Sequence, residues 1–282
     1  MYKVALRQFQ VFVGRDVREV APAHIIAWRD ELLSKFKPAT VAQKLSIIRS
    51  FYTYLNLAGY CDRNPADPRL VSPPLAEDES RARALSAKEV NYLLAGPDQN
   101  TPAGARDFAI LLCLLRLGMR RAELCRLKKS DIGQQKGKWT LRIKVKGGRE
   151  RTIPLPADLK QAIDHYLQLD GERRSLVHSD GDDAFIFQPL INNRTGLFAR
   201  PLDPSMVYRI VRRWAEYGGI GRSKPHDMRH TAVTTALDLG ASYREVQAMT
   251  GHKDPKTIRK YDRNRENLET NAINRLRYDF TR

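Results

Sequence analysis

Between Trp139 and Leu155 the hydrophobic period of this chain switches from helical to twofold, and that switch limits what the chain can fold into. Trp139, Leu141, Ile143 and Val145 alternate with Thr140, Arg142 and Lys144, the pattern of a strand with one buried face. Gly147-Gly148 supplies a tight turn and Arg149 to Leu155 returns as a second strand, which places Lys146 at the hairpin tip on the polar side. The other long apolar segments recur at helical spacing. The expected fold is mainly α with a small antiparallel β-sheet, an α+β chain.

The helical part divides in two. Residues 1–70 read as helical throughout, most clearly from Thr40 to Leu57, where Val41, Leu45, Ile48, Tyr52 and Leu55 form one stripe. Thr40 is the expected cap, with Gln43 reaching back and Gly59 following the end. Lys44 and Arg49 lie off that stripe; together with Thr40 they are candidates for DNA contact, the plainer alternative being a solvated face. Residues 71–84 hold Ser-Pro-Pro and mixed charges with little to bury and read as a linker. A second domain over residues 85–282 begins where Ser86 caps a helix through Glu89. An apolar helix from Ala105 stops at Gly118, Arg120 to Leu127 restarts as a helical turn, and from Pro204 on the chain is mostly helical, broken at Gly219, Gly221, Gly240 and Gly251. A last helix, residues 265–280, carries the apolar stripe Leu268, Ala272, Leu276 and Phe280.

Charge points to the partner. The chain carries 49 Lys and Arg against 32 Asp and Glu, a formal charge of +17, so its field attracts polyanions before any specific contact forms. Nucleic acid is the expected partner. There is no apolar run of about 18 residues and no signal sequence, so the expectation is a soluble, intracellular protein without a membrane partner. Cys61, Cys113 and Cys125 lack paired metal-ligand spacing and read as reduced thiols.

The chemistry comes from polar residues far apart in sequence. A phosphodiester undergoing substitution passes through a trigonal-bipyramidal phosphorane whose non-bridging oxygens gain negative charge. Without a metal that charge needs fixed cationic forks, and arginine offers coplanar donors that stay charged. Arg120 and Arg229 are the candidate pair, and Glu123, three residues on, can orient Arg120 by an ion pair. His226 and Arg229 are spaced to share one face of a helical turn. His226 and His230 also resemble the H-E-x-x-H zinc pair, but Asp227 is one methylene shorter than that motif's glutamate and Arg229 would put a cation beside the metal. The reading adopted has no metal and no cofactor. Tyr261 sits between Lys260 and Asp262-Arg263; a phenol with a pKa of about 10 needs nearby positive charge or a base before it can attack. The leaving 5′ oxygen needs a proton, and on spacing alone Lys146 and Lys144 are equal candidates to supply it.

With these residues in hand, the sequence resembles the tyrosine recombinase (phage integrase) family over nearly its whole length. Five motifs occur in the family's order: Gly118-Met-Arg120-Arg-Ala-Glu123-Leu124, Lys146-Gly-Gly-Arg-Glu-Arg-Thr-Ile-Pro154-Leu155, His226-Asp-Met-Arg229-His230-Thr231, Gly251-His252, and Tyr261. The resemblance implies that Arg120 and Arg229 hold the scissile phosphate, His252 hydrogen-bonds to it, and His226 is a base near the nucleophile. It also implies that Lys146, rather than Lys144, is the general acid, that Tyr261 forms a 3′-phosphotyrosyl bond, and that His230 is structural. An N-terminal helical core-binding domain, with Phe51-Tyr-Thr-Tyr-Leu55 and Asn64-Pro-Ala66 as its marks, and a recombinase catalytic domain are implied as a clamp on duplex DNA. So is a tetramer acting on two specific sites through a Holliday junction, in the cytoplasm with the nucleoid. An accessory directionality protein is a further partner the resemblance admits, and the last helix is expected to dock in a neighbouring protomer or in cis. Departures are Ala122, where serine is frequent, and a first helix starting at Met1, which leaves no room before it for the arm-site domain of larger phage integrases. The competing functions are a DNA-binding accessory factor that has lost catalysis, a type IB topoisomerase-like relaxing enzyme, and a zinc hydrolase.

Overall fold

In the computed structural model the described residues are 2–74, 83–145, 149–175, 183–190, 200–252, 254 and 256–262, the side chains of 172–175 and 256 excepted. The chain forms two compact units, Met1–Glu79 and Ser80–Arg282.

The first unit is built on α1 (Tyr2–Val13), α2 (Pro22–Lys35) and α3 (Pro38–Leu57). The whole stripe Val41, Leu45, Ile48, Tyr52 and Leu55 is buried, as its spacing requires. Phe9 meets Trp28 edge-on at 5.0 Å and Tyr52 at 6.3 Å, which knots the three helices at one aromatic centre. The buried Tyr52 hydroxyl donates to the Val17 carbonyl at 3.0 Å, so no polar cost is left at that centre. Helix α3 begins two residues earlier than expected, at Pro38, and Thr40 lies exposed inside its first turn. Proline at the first helical position has its φ already set and no N–H to waste, and it overrides the threonine signal. Beyond α3 the described chain turns without further helix, held by Asn64, whose amide donates to the Arg49 carbonyl at 3.0 Å. Val71 packs into this core, so the chain is still anchored at the point where the sequence reads as linker.

The second unit holds α4 (Ala87–Ala95), α5 (Pro102–Leu117), α6 (Arg121–Leu124), β1 (Ile132–Gln135), β2 (Lys138–Lys144), β3 (Glu150–Pro154), α7 (Ala157–Ser175), α8 (Pro204–Tyr217), α9 (Pro225–Asp238), α10 (Tyr243–Thr250) and α11 (Lys256–Arg259). Ser86 caps α4 with Glu89 reaching back to its N–H at 2.9 Å, the expected reciprocal pair. Helix α5 is buried nearly all round and packs on α7 and α9, which makes it the central rod of the unit. It ends at Gly118, in the left-handed conformation at φ +56°, which only glycine adopts without strain.

The hairpin is present, with a third strand that the sequence did not announce: the sheet order is β1-β2-β3, all antiparallel, with Ile143 opposite Arg151. β1, Ile-Gly-Gln-Gln, has one apolar residue and no alternation to read. Leu141, Ile143 and Ile153 face the core, while Trp139 at the strand end is half open and lies under the Lys160 ammonium, 4.2 Å from the ring centroid. Val145 N–H donates to the Arg149 carbonyl at 2.8 Å; Lys146 and the two glycines between them lie outside the described residues. So does the expected helix over 265–280.

Candidate active site

Arg229 is a buried cation held from several sides. Pro225 opens α9, and Asp227 accepts from the Lys224 N–H at 2.7 Å, so the acid inside the His-Asp-Met-Arg-His run serves to cap the helix. One turn on, Arg229 is 3% exposed and donates to the Gly118 carbonyl just past α5, to the Thr250 carbonyl that ends α10 at 3.0 Å, and toward His252 Nε2 at 3.0 Å. Helix C-termini leave carbonyls unpaired and carry partial negative charge, so two of them converging make a buried guanidinium tolerable. Burial first, then the Arg120 charge, pulls its pKa down to about 10, still charged at neutral pH.

Gly251, at φ +68°, closes α10 in the left-handed conformation and turns the chain so that His252 points back at Arg229. Thr250 Oγ lies 2.7 Å from His252 Nδ1 and fixes the ring from its other side. Burial, followed by the Arg229 and Arg120 charges, pushes the His252 pKa down to about 4. The same causes, burial ahead of Arg229, lower that of His226. Since an unfolded imidazole titrates near 6.5, the unfolded chain binds the extra proton first; the stability tied to neutral His252 is complete above about pH 6.5 and is lost as pH falls through about 4. The expected loss is at most roughly 3 kcal/mol. Urea unfolding of wild type and His252→Gln at pH 7 and pH 4.5 should show the smaller loss in the variant; equal losses would assign the titration to another group.

Arg120 stands at the start of α6, its N–H on Glu123 Oε2 at 3.2 Å and its Nη1 on Glu123 Oε1 at 2.8 Å. Its side chain is 47% exposed and faces a concave pocket of about 460 Å³ shared with Arg121, Tyr208, Lys224, His226 and Arg229. The expected ion pair to Glu123 therefore forms, and His226, Arg229 and Arg120 line one cavity. Burial raises the Glu123 pKa, but the Arg120 hydrogen bond and the Arg151 charge outweigh it and hold the carboxyl below its ordinary value.

Tyr261 is 7% exposed, its ring 4.8 Å from that of His230 and 6.0 Å from that of His252, with its carbonyl near Thr234 Oγ at 3.5 Å. His230 lies 3.3 Å from the Thr234 hydroxyl and packs against the tyrosine. No cluster of three His, Cys, Asp or Glu suited to a metal occurs among the described residues, and the three cysteines are free thiols. In the first unit Arg49 donates to the Ala66 and Val71 carbonyls at 2.9 and 3.3 Å, and Lys44 binds Gln8 and lies over the Phe36 ring, so both cations have partners inside the unit.

Sequence reading missed Arg151, whose Nη2 reaches Glu123 Oε2 at 3.2 Å. The signal was there: Arg151 occupies the inward face of β3, two residues before buried Ile153, where a basic side chain has no reason to be unless something awaits it.

Residues 83–267 match the phage integrase family model. The chain belongs to the phage integrase family. It is a tyrosine-type site-specific DNA recombinase. Among its relatives, tyrosine recombinase XerC of Thermodesulfovibrio yellowstonii is 31% identical, covering 92% of this chain and 83% of its own. Tyrosine recombinase XerD of Xanthomonas axonopodis pv. citri is 30% identical over 84% and 74% of the two chains. In fold the recombinase is similar to XerH, solved in a post-cleavage complex with its palindromic difH substrate, with a TM-score of 0.72 over 92% of this chain and 74% of that one at 19% identity. No described helix of the recombinase is long and apolar enough to cross a membrane.

Proposed function

We propose that this recombinase cleaves and rejoins duplex DNA at a specific site by transesterification onto Tyr261. Arg120 and Arg229 hold the non-bridging oxygens of the scissile phosphate, His252 adds a third hydrogen bond, and His226 takes the phenolic proton. The phenol attacks phosphorus, the bond to the 5′ oxygen breaks, and Lys146, from the segment that joins β2 to β3 in sequence, protonates that oxygen. The product is a 3′-phosphotyrosyl ester whose bond energy is kept for rejoining, with no metal and no cofactor. The observation that carries the reading is the convergence of Arg229, His252 and the Tyr261 ring, brought together from α9, the end of α10 and the turn after α11, beside the pocket that Arg120 and His226 line. Burial and the Arg229 charge lower the His226 pKa, which favours the neutral imidazole that a proton acceptor requires.

In this reading residues 1–70 are the core-binding domain, with Thr40, Lys44 and Arg49 as its candidate DNA contacts, 71–84 the linker and 85–282 the catalytic domain, carrying a last helix over 265–280. Four copies act on two sites through a Holliday junction at the nucleoid, with a directionality protein as an accessory in integration, excision or resolution of mobile DNA. A nicked suicide duplex carrying the site is the test. A covalent adduct mapped by peptide mass spectrometry to Tyr261 is the expected result, and an adduct on another residue would reject the assignment. With a formal charge of +17, DNA affinity is expected to fall on the order of 10³-fold between roughly 50 and 200 mM salt. A flat titration would remove the electrostatic argument.

A further inference from the structure

The strand-transfer reading gives Arg151 no role, yet its guanidinium touches two supports of the site. Its Nη2 holds the Glu123 oxygen that also receives the Arg120 N–H. Its Nη1 lies against Gly251, where an added Cβ would overlap it. Gly251 is the residue between Thr250, whose carbonyl receives Arg229, and His252. The side chain is 13% exposed, and its Nε and Nη1 are buried without an acceptor among the described residues. A buried cation with two nitrogens lacking an acceptor, close enough to Arg229 and His252 to lower the pKa of both, opposes folding; an apolar side chain of the same length would fit the inward face of β3 better.

We propose that Arg151 is a positioning residue for the recombination reaction: it clamps Glu123, and through it Arg120, against the backbone turn that presents Thr250 and His252. Its place on the inward face of β3, opposite buried Ile143, ties the β2–β3 hairpin to the phosphate grip. Glu123 is the shared anchor, since one buried carboxylate accepts from both arginines. The kinetic part of this inference rests on the strand-transfer reading; the Glu123 clamp itself does not.

The test uses the full chain and the suicide duplex. Arg151→Met keeps the length of the side chain and removes the unpaired N–H groups. It is expected to melt at or above the wild-type temperature, to bind the duplex within about threefold of wild type, and to cleave at least tenfold more slowly. Arg151→Lys, which restores charge without the fork, should recover part of that rate. In a Glu123→Gln background Arg151→Met should cost little further, because the clamp is already open. A purely structural role predicts the reverse: lower melting temperature with cleavage within threefold of wild type, which would overturn the proposal. Losses that multiply in the double variant would overturn it too. Melting of the four proteins without DNA reads the Glu123–Arg151 coupling independently. A wild-type chain that formed no adduct would therefore reject the strand-transfer reading, while additive melting shifts would reject the clamp.

Discussion

Tyr261→Phe is expected to leave no detectable covalent adduct on the suicide duplex, a loss on the order of 10⁵-fold or more in strand cleavage, the scale for deleting a nucleophile. The substitution isolates one atom. The ring that packs at 4.8 Å on His230 and 6.0 Å from His252 is kept, as is the backbone that Thr234 holds, so the local core among Val233, Val246 and Ile258 should survive. Melting temperature and DNA affinity are expected to stay near wild type, which separates lost chemistry from lost structure. Adduct formed equally by both proteins would put the nucleophile elsewhere, and no other feature of the site could rescue the Tyr261 assignment.

Removing Arg229 is expected to be nearly as damaging and in two ways at once. Arg229→Ala strands the Gly118 and Thr250 carbonyls at the ends of two helices and releases His252. Unsatisfied buried groups and a lost buried cation cost roughly 2–4 kcal/mol of stability. Loss of one transition-state donor lowers cleavage by about 10²- to 10³-fold. Arg120→Ala should match the rate loss with a smaller stability loss, because Arg120 is 47% exposed and Glu123 retains Arg151. Urea unfolding and single-turnover cleavage measured on the same preparations check both. An Arg229 variant that cleaves within tenfold of wild type would argue that the buried guanidinium is a helix-end clamp and no more.

Five of the six candidate residues were legible in the sequence because each sits beside a local signal, while Lys146 was set apart from Lys144 only by the family resemblance. Arg120 lies just past a helix-ending glycine, His226 and Arg229 share a turn, His252 follows a second glycine, and Tyr261 lies between Lys260 and Asp262-Arg263. What could not be read is which atoms meet. Nothing in the string says that one guanidinium joins the end of α5 to the end of α10, or that Asp227 is a cap; these depend on how helices distant in sequence cross. Thr40 was misread as a cap because Pro38 sets the helix start more strongly. Strand β1 escaped notice because an edge strand of one apolar and three polar or small residues has no period to detect.

By itself the sequence determined the α+β class, the buried stripe of α3, the apolar helix α5, the hairpin and the candidate residues, since periodicity and backbone conformation are local properties. Tertiary structure alone decided that Arg229 is buried between two helix ends, that His230 lines the tyrosine, and that Arg151 shares Glu123 with Arg120. Those are long-range contacts, set by packing of the central helix and the sheet. A buried ion pair becomes visible only when both partners have a position in space.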